Sequence, residues 1–428
     1  MEQPLRLAMA MLALLCVTRP GEAWQRSKPI AEGLKAATLP RDFWGDAGPK
    51  FPPTELRDAI RAQQLRVLDA RGQQRRLVLM ALIGAQPEAA NAGMWSLFLE
   101  SLHNITFIGA DGKEDRLSSH LVAVVMAPPN ATADACQRAS GHRGVRCAPM
   151  HSKFFSTNQF TWWGPAWAAL SYAKISSLLA ALSLGVDVLF LDSDQVFFKN
   201  PVPYFLERDG DVLVSSDACM ARDDVVPEGD LPHGMPVNIG LLYIRAKPMA
   251  VRMAGNWLAT LVASETRWVG QTQGWRFYDQ NTFHFFFSGM NADFKDKAPK
   301  YLSANVLRAD RFPNLCTGHC GCNITRLKPG AEGVKMNLTA GGTCKDDVMR
   351  SWFVFHSPCV KVHSAKLPIL KNLTAMYQRL VGPIGSLSEP LRLVGGGGAA
   401  QHKLSAATGS GGKAVSVAES KRRWLRAL

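Results

Sequence analysis

Two aspartates separated by one residue follow an apolar segment in the middle of the chain, and their type and spacing fit a divalent-metal site. Asp192 and Asp194 come directly after residues 186–191. Side chains two residues apart on a strand point to the same face, so both carboxylates converge on one point if the strand continues through them. Hard oxygen ligands suit Mg²⁺ or Mn²⁺, which usually keep open positions for the oxygens of a bound diphosphate. The expected chemistry therefore takes place on a phosphate ester or a nucleotide-linked sugar.

The neighbouring residues place this pair at the end of a buried strand. Five of the six residues before Asp192 are apolar, Gly185 ends the preceding predicted helix, and Pro201 closes the segment. Open α/β sheets bind their ligands at the carboxyl ends of their strands. An Asp-x-Asp pair without this context would equally describe two solvated carboxylates.

Strand and helix patterns alternate along the body of the chain. The predicted strands are 76–84, 120–127, the segment before Asp192, 211–215, 237–244 and 351–355. The predicted helices are 90–102, 167–184 and 256–264. This alternation predicts a single α/β domain in which a mostly parallel, Rossmann-type sheet is flanked by helices.

The amino terminus has the pattern of a secretory signal. Residues 1–23 contain Arg6, an apolar run over 7–17 and then Pro20-Gly21. The run is short for a bilayer span, which favours a cleaved signal over a short signal anchor. Either form takes the chain into the secretory pathway, with the Golgi lumen as the expected location and a membrane association through the amino terminus as the alternative.

Glycosylation signals and cysteines agree with that compartment. Asn-x-Thr acceptors begin at Asn104, Asn130, Asn323, Asn337 and Asn372. Removal of Cys16 with the signal would leave eight cysteines, an even number that indicates disulfides. Four of them lie in segment 316–344, at Cys316, Cys320, Cys322 and Cys344. Their spacing lacks paired Cys-x-x-Cys units, which favours a disulfide-rich loop over a zinc site.

Composition sets the domain boundaries and the charge. With 428 residues and 47% apolar content, the chain can bury a large core. Residues 24–74 are polar and proline-containing and are predicted to form a stem, and 381–428 a disordered basic tail, which leaves 75–380 as the folded domain. The net charge of +14 suits an anionic substrate or simply a soluble basic surface. Nucleic acid binding is not expected of a secreted, disulfide-bonded chain.

Five motifs in a fixed order resemble a known family. They are GVDVLFLDSDQVFFKNP at 185–201, SSD at 215–217, VNIGLLYIR at 237–245, YDQNTF at 278–283 and VFHSPCVKVHSAK at 354–366. Together they resemble the nucleotide-diphospho-sugar transferases, and more narrowly the cell-wall arabinosyl- and xylosyltransferases of the GT-A fold. The resemblance covers residues 75–380.

The resemblance implies a metal and diphosphate site. Asp192, Ser193 and Asp194 match the family's metal motif, in which Mn²⁺ or Mg²⁺ bridges the two phosphates of the donor, and His356 resembles the third protein ligand. Lys361 and Lys366 are implied to neutralise the leaving diphosphate; a solvated basic face is the alternative for each.

Other matches concern the donor sugar. Asp217 and Asn238 resemble donor-sugar contacts, with helix capping for Asp217 and a local backbone cap for Asn238 as the alternatives. Asp279 and Gln280 match an Asp-Gln element near the anomeric carbon and the acceptor, and they are the candidates for catalytic positioning. An exposed loop pair is the alternative.

The residues that would contact the nucleotide and the acceptor are inferred only from their positions in the sequence. Ile83 and Gly84 occur where this fold usually receives the uracil and ribose. Lys174 lies on the predicted helix before the metal strand and could reach the donor. An ordinary solvent-facing lysine is the alternative. An aromatic group could stack on an acceptor sugar or belong to the core; its members are Phe160, Trp162, Trp163 and Trp167.

The implied function is transfer of a sugar from a UDP-sugar, with arabinose, xylose or galactose as the sugar. The acceptor would be a cell-wall polysaccharide or a hydroxyproline-rich glycoprotein. Retention of anomeric configuration is implied by the resemblance. An inverting enzyme would need a carboxylate base, for which Asp223, Asp224 and Asp279 are available.

The same residues also fit two other functions. Asp192-Ser-Asp194-Gln-Val196 also fits the haloacid-dehalogenase motif, in which the first aspartate is the nucleophile of a phosphohydrolase. That motif normally follows the first strand of its domain, whereas two predicted strands precede it here. A noncatalytic sugar-binding protein that keeps the fold is the other alternative.

Overall fold

The computed structural model of the protein describes the greater part of residues 54–394. The described ranges are 54–84, 89–140, 143–150, 165–216, 237–268, 278–280, 282–283, 302–314, 346–358 and 363–394. The predicted signal, the cysteine-rich segment 316–344 and residues 395–428 lie outside them. Within these ranges, no helix is long and apolar enough to cross a membrane.

Helices and strands alternate through most of these ranges. The helices are α1 Thr54–Gln63, α2 Ala89–His103, α3 Thr132–Ser140, α4 Pro165–Ser183, α5 Val202–Leu206, α6 Pro248–Trp268, α7 Asp346–Ser351 and α8 His363–Leu380. The strands are β1 Leu65–Leu68, β2 Gln74–Gly84, β3 Thr106–Ile108, β4 Glu114–Arg116, β5 Leu121–Met126, β6 Arg146–Met150, β7 Asp187–Leu191, β8 Gln195–Phe197, β9 Val212–Ser216, β10 Val237–Ile244, β11 Ala304–Val306 and β12 Val354–His356. Short 3₁₀ turns cover Leu117–His120 and Pro129–Ala131.

One mixed sheet forms the centre of the molecule. Its strands run in the order β11-β9-β10-β7-β2-β5-β6, and β1 pairs with the start of β2. Pairing is parallel for β11 with β9 and along β7, β2, β5 and β6. Strand β10 is antiparallel to both of its neighbours, β7 and β9. The predicted α/β class with a mostly parallel sheet is confirmed, with β10 and the short β1 as the reversed strands.

Side chains of β2 alternate between two hydrophobic cores, one on each face of the sheet. Leu77 and Leu79 point into a core shared with α2 and α8. Val78 and Met80 point into a core shared with α1, α4 and α6. Because successive side chains of a strand face opposite ways, a continuous apolar strand such as β2 needs helices on both faces.

Most predicted elements are confirmed within a few residues. The exceptions are the helix predicted over 256–264, which begins eight residues earlier at Pro248, and the start of the last predicted strand. The pattern over 351–355 predicts a strand, whereas Ser351 ends helix α7 and the strand is β12, Val354–His356. The apolar residues Trp352 and Phe353 are buried in the turn between these two elements. The apolar residues at the start of this segment are therefore apolar because they are buried, and not because their backbone is extended.

The packed domain starts earlier than residue 75. Helix α1 buries Leu56 and Ile60, and strand β1 buries Val67, all within the segment that the sequence places in a stem. The side chain of Gln63 at the end of α1 donates to the carbonyls of Leu121 and Gly144. The polar, proline-containing composition of 24–74 obscured a helix whose apolar residues recur at helical spacing.

The packed domain also extends past residue 380. Leu391 and Leu393 are buried, and the backbone of Leu68 donates to Arg392 O at 2.6 Å. Leu393 forms an isolated antiparallel bridge with Val67 in β1. Residues 381–394 therefore complete the edge beside β1 and are not part of a disordered tail.

Strand β6 is an edge of the sheet and carries one disulfide. Cys147 in β6 is bonded to Cys136 in α3. Pro149, in the same strand, lies opposite Val125 of β5 and has no N–H to donate. The disulfide agrees with the predicted oxidising compartment, while the pairing of the cysteines at 316–344 lies outside the described residues.

The start of β7 is fixed by a buried carboxylate. Asp187 is 2% exposed and forms a bidentate ion pair with Arg75, with N–O distances of 2.8 and 3.0 Å. Its oxygens also accept hydrogen bonds from Tyr243 Oη at 3.0 Å and from the backbone N–H of Ala246 at 2.8 Å. Burial and the negative charge of Asp187 raise the pKa of Tyr243, so the phenol remains a donor. This cluster ties β2, β7 and β10 together at the start of β7, the strand whose other end leads to Asp192.

Asp187→Ala is expected to lower the free energy of unfolding by about 3 kcal/mol, since it leaves the Arg75 guanidinium and the Tyr243 hydroxyl without their buried acceptor. Denaturant unfolding measures this loss. Asp209→Ala is the matched control, because Asp209 pairs with Arg71 on the surface, where removal of a pair changes stability by less than about 1 kcal/mol. Equal losses in the two variants would contradict the role assigned to Asp187.

Candidate active site

The two predicted metal aspartates lie just past the end of β7. The strand ends at Leu191, so the condition that it continues through both residues is not met. The chain instead turns through Ser193, and β8 begins at Gln195. A backbone hydrogen bond from Asp192 N to Gly240 O, 2.7 Å long, continues the contact with β10. The two carboxylates converge through this turn, at the carboxyl edge of the sheet.

His356 reaches the aspartates through a pair of three-residue strands. Strand β12 pairs antiparallel with β8, and His356 lies opposite Gln195. The backbone N–H of Ser357 donates to Asp194 O at 3.0 Å. His356 Nε2 is 3.1 Å from Asp194 Oδ1 and 3.8 Å from Asp192 Oδ2. The predicted grouping of Asp192, Asp194 and His356 is therefore present in the structure.

These three side chains suit a divalent cation. One potential ligand atom from each residue lies within 4.8 Å of the others. Two carboxylates and one imidazole form a donor set that Mn²⁺ accepts, and Mg²⁺ prefers the carboxylates. His356 is 4% exposed, and its Nδ1 has no partner among the described residues, whereas Asp192 is 40% exposed at its side chain. The site is therefore closed on the histidine side and open on the Asp192 side, where a ligand could enter.

Gly240 makes this close approach possible. A Cβ atom built on Gly240 would overlap His356 Cε1 and would lie 2.5 Å from Asp192 Oδ2. Glycine within a strand often marks such a close approach. The Gly240 carbonyl also accepts a hydrogen bond of 2.6 Å from Gln195 Nε2, beside the one from Asp192 N. Gly240 thus lies directly against two of the three candidate ligands, His356 and Asp192.

Lys366 from α8 binds the second aspartate directly. Its Nζ donates to Asp194 Oδ2 at 2.6 Å, and Lys366 is 6% exposed. Burial raises the pKa of Asp194, but the charges and hydrogen bonds of Lys366 and His356 outweigh it and hold the pKa well below its usual range. Asp194 is therefore a carboxylate, the form that a metal requires.

Lys174 from α4 lies between Asp192 and Asp279. Its Nζ is 3.3 Å from Asp192 Oδ1 and 3.4 Å from Asp279 Oδ2, and the side chain is 3% exposed. Burial lowers the pKa of Lys174, but the two carboxylates outweigh this effect and raise it. The lysine is a buried cation inside the site and not the solvent-facing residue that the sequence left as the alternative.

Asp279 is held in place from two helices. It is 6% exposed, and its Oδ1 accepts a hydrogen bond of 3.2 Å from Ser171 in α4. Thr282, three residues on, accepts a hydrogen bond of 2.8 Å from Trp257 Nε1 in α6. Gln280 beside it is partly exposed. The structure therefore brings Asp279 to the metal cluster through Lys174, and the exposed-loop alternative is wrong for Asp279.

Three further predicted residues lie at the same edge of the sheet or next to it. Ile83 and Gly84 end β2, which is parallel to β7, and both are partly exposed. Asn238 in β10 is 3% exposed, and its Oδ1 accepts a hydrogen bond of 2.9 Å from Gly240 N. This bond is the local backbone cap that was the alternative for Asn238, and it helps to hold the backbone at Gly240 in place.

Other predicted residues fall outside the described part of the chain. They are Asp217, Lys361, Asp223, Asp224, Phe160, Trp162 and Trp163. Trp167 belongs to α4, but its side chain is not described. The acceptor-stacking and base hypotheses for these residues stay predictions.

Three residues at the site were missed by sequence reasoning. Gln195 is fully buried beside the metal cluster, Ser171 contacts Asp279, and Gly240 carries the close approach. Only Gly240 had a usable signal, as a glycine inside an apolar strand. A serine in an apolar helix and a glutamine in a three-residue strand have no pattern that separates them from ordinary buried residues.

A family comparison decides the general assignment. Residues 120–341, slightly more than half of the chain, match the model of a family described as nucleotide-diphospho-sugar transferase. The chain belongs to this family. The match contains Asp192, Asp194 and Asp279, so the family assignment covers the turn after β7 and the helical residues at Asp279. His356 and Lys366 lie beyond it, and their place at the site rests on the geometry described above.

A curated relative within the family is Arabinosyltransferase XEG113 of Arabidopsis thaliana. The two sequences are 30% identical over 145 residues, which is 33% of this chain. The matched part is 21% of the relative, so the chain spans about a fifth of that protein.

Solved glycosyltransferase structures are also similar to this chain. Mouse xyloside xylosyltransferase 1 is 14% identical, with a TM-score of 0.33, and the match covers 66% of this chain and 97% of that one. Galactosyltransferase LgtC, solved with donor and acceptor sugar analogues, is 13% identical, with a TM-score of 0.36 and coverage of 71% and 96%.

Gly240→Ala is expected to weaken Mn²⁺ binding at least about tenfold, because the added methyl group displaces His356 and Asp192 from each other. Titration calorimetry with MnCl₂ measures the affinity. Gly255→Ala is the matched control: Gly255 lies inside α6, and a Cβ there has nothing within 4 Å. Wild-type Mn²⁺ affinity in Gly240→Ala would show that the ion does not bind between these side chains.

Proposed function

We propose that this protein is a metal-dependent, retaining glycosyltransferase that moves a sugar from a UDP-sugar to a glycan or glycoprotein acceptor. The observation that carries the proposal is the convergence of Asp192, Asp194 and His356 at the carboxyl edge of the sheet, in a chain of the nucleotide-diphospho-sugar transferase family. Two buried lysines lie against the same carboxylates. These lysines offset most of the carboxylate charge, so a divalent cation bound here would make the site net positive, which suits an anionic diphosphate.

Arabinose, xylose and galactose are the proposed sugars. The name of the curated relative supports arabinose, although that relative matches over only part of its length. The choice among these sugars depends on pocket contacts worth about 1 to 3 kcal/mol each. Asn238, Asp279 and Gln280 are the proposed sugar contacts within the described residues, and Ile83 and Gly84 the proposed contacts to the nucleoside.

The proposed mechanism is electrostatic stabilisation of the leaving nucleoside diphosphate. Asp192, Asp194 and His356 would hold Mn²⁺ or Mg²⁺, which when bound offsets negative charge on the phosphate oxygens. Lys366 and Lys174 offset the negative charges of the site carboxylates, so these carboxylates do not cancel the whole charge of the cation. Because these groups are positioned before the reaction, they stabilise charge that develops as the glycosidic bond breaks without having to reorganise.

Retention is supported by the state of Asp279. An inverting enzyme needs a carboxylate that is free to accept the proton of the acceptor hydroxyl. Asp279 is instead buried and shared between Lys174 and Ser171. We therefore assign Asp279, with Gln280, to positioning of the sugar and acceptor. The acceptor hydroxyl would attack from the leaving-group face, and the departing phosphate would help to take its proton.

The proposed location is the secretory pathway, with the Golgi lumen as the site of action. The predicted signal in residues 1–23, the Asn-x-Thr acceptors and the Cys136–Cys147 disulfide support it. Association with a membrane through the amino terminus and a cell-wall polysaccharide or glycoprotein acceptor remain part of the proposal.

Family membership excludes one of the two alternative functions and is compatible with the other. Family membership removes the haloacid-dehalogenase phosphohydrolase, because residues 120–341 match a transferase model across Asp192. A noncatalytic sugar-binding protein would share both the family and the fold. Turnover separates it from the enzyme.

The full chain is expected to release UDP from one member of a UDP-sugar panel only when Mn²⁺ or Mg²⁺ is present. Asp194→Ala should lower this rate about 100-fold or more, because it removes a ligand of the cation. Asp111→Ala is the control, since Asp111 lies on an exposed turn. Thermal stabilisation by a UDP-sugar without any turnover, in the presence of an acceptor mixture, would favour the sugar-binding alternative.

Lys366→Ala is expected to weaken UDP binding about tenfold in the presence of Mn²⁺, because it removes a buried positive charge beside the diphosphate position. Calorimetry with UDP measures the effect. Lys371→Ala is the matched control, because Lys371 is an exposed lysine on the same helix, α8. Equal affinities in the two variants would mean that Lys366 does not face the nucleotide.

A further inference from the structure

Ser171 is a buried hydroxyl on the inner side of α4, and it contacts the candidate positioning residue Asp279 twice. The side chain is 1% exposed. Its Oγ donates to Asp279 Oδ1 at 3.2 Å and accepts from the backbone N–H of Asp279 at 3.2 Å. One hydroxyl thus holds both the carboxylate and the backbone of the same residue.

Ser171 and Lys174 act on the two oxygens of one carboxylate. They are three residues apart and therefore neighbours on one face of α4. Ser171 contacts Oδ1 of Asp279, and Lys174 Nζ is 3.4 Å from Oδ2. With a donor on each oxygen, rotation of the carboxylate about its last side-chain bond is restricted.

The helix that carries these two residues is itself anchored. Tyr172 Oη in α4 donates to Leu261 O in α6 at 2.7 Å. Asp279 is tied to the same α6 through Thr282, whose hydroxyl donates to Asp279 O and accepts from Trp257 Nε1. Helix α6 therefore supports both Ser171 and the residue that Ser171 holds, so the geometry between them is set by packed helices.

We propose that Ser171 is a positioning residue of the transfer reaction, which orients Asp279 towards the reacting sugar while Lys174 couples Asp279 to Asp192. The inference rests on the proposed function. Without the Ser171 hydroxyl, Lys174 is the remaining side-chain partner of the Asp279 carboxylate among the described residues, and it would draw that carboxylate towards Asp192. A misplacement of about 1 Å at a positioning group can cost up to about 100-fold in rate.

Ser171→Ala is expected to lower kcat about tenfold, while the affinity for UDP and Mn²⁺ stays at the wild-type value. The reason is that the metal ligands and Lys366 are untouched. Steady-state turnover of the accepted UDP-sugar and calorimetry with UDP measure the two quantities. Ser177→Ala is the matched control: Ser177 is a fully buried serine of the same helix, and its Oγ donates to Ala173 O. It should leave kcat unchanged.

A second pair of measurements separates positioning from simple support of the fold. Ser171→Cys keeps a side chain of similar size with a weaker donor, and its kcat should lie between those of wild type and Ser171→Ala. A double-mutant cycle of Ser171→Ala with Asp279→Ala, measured by denaturant unfolding, needs no turnover. The two losses in stability should not add, because each variant removes the same contact.

The outcomes separate this inference from the proposed function. If the wild-type protein turns over no UDP-sugar, the proposed function fails and the inference with it. If the wild type is active and Ser171→Ala keeps the wild-type kcat, the inference alone is overturned. Additive losses in the cycle, or an equal fall in kcat for Ser177→Ala, would overturn it as well. Should Ser171→Ala not fold, an unchanged kcat in Ser171→Cys overturns it.

Discussion

The repulsion among three carboxylates is the constraint on which the site depends. Asp192, Asp194 and Asp279 converge at one edge of the sheet, and their negative charges would drive them apart if they were unpaired. Lys174 and Lys366 supply the compensating charges from α4 and α8, which pack on opposite faces of the sheet. The two-layer cover of helices is therefore needed for the charge balance as much as for burial of the sheet.

The pairing of the short strands β8 and β12 brings His356 to these carboxylates. Their pairing brings together residues that are 162 positions apart in the chain, and it does so with three residues on each side. Such a contact depends on the exact register, because a shift by one residue would turn His356 away from the carboxylates. The register is supported by the Ser357 N–H on the Asp194 carbonyl and by the glycine at position 240.

Sequence patterns predicted five of the eight strands of the main sheet, and they missed β1, β6 and β11 and the contacts around the sheet. The apolar run before Asp192 and the continuous strand β2 are long enough to show their period and burial. His356 was found only through a family resemblance, since three-residue strands have no measurable period. Ser171 and Gln195 gave no signal because their partners are distant in the chain. The limits of the domain were missed because the polar composition around 54–63 and the Gly- and Ser-rich sequence around 391–393 hid the buried residues Leu56, Ile60, Leu391 and Leu393.

The strand β6 also affects how this protein behaves beside other copies of itself. An open sheet edge presents free backbone groups that can pair with another chain. Pro149 removes one donor from that row, and the disulfide to α3 keeps a helix beside the strand. At the opposite edge, β11 is only three residues long. Among the described residues, both ends of the sheet are therefore poor templates for strand addition, which disfavours edge-to-edge pairing with another copy of the chain.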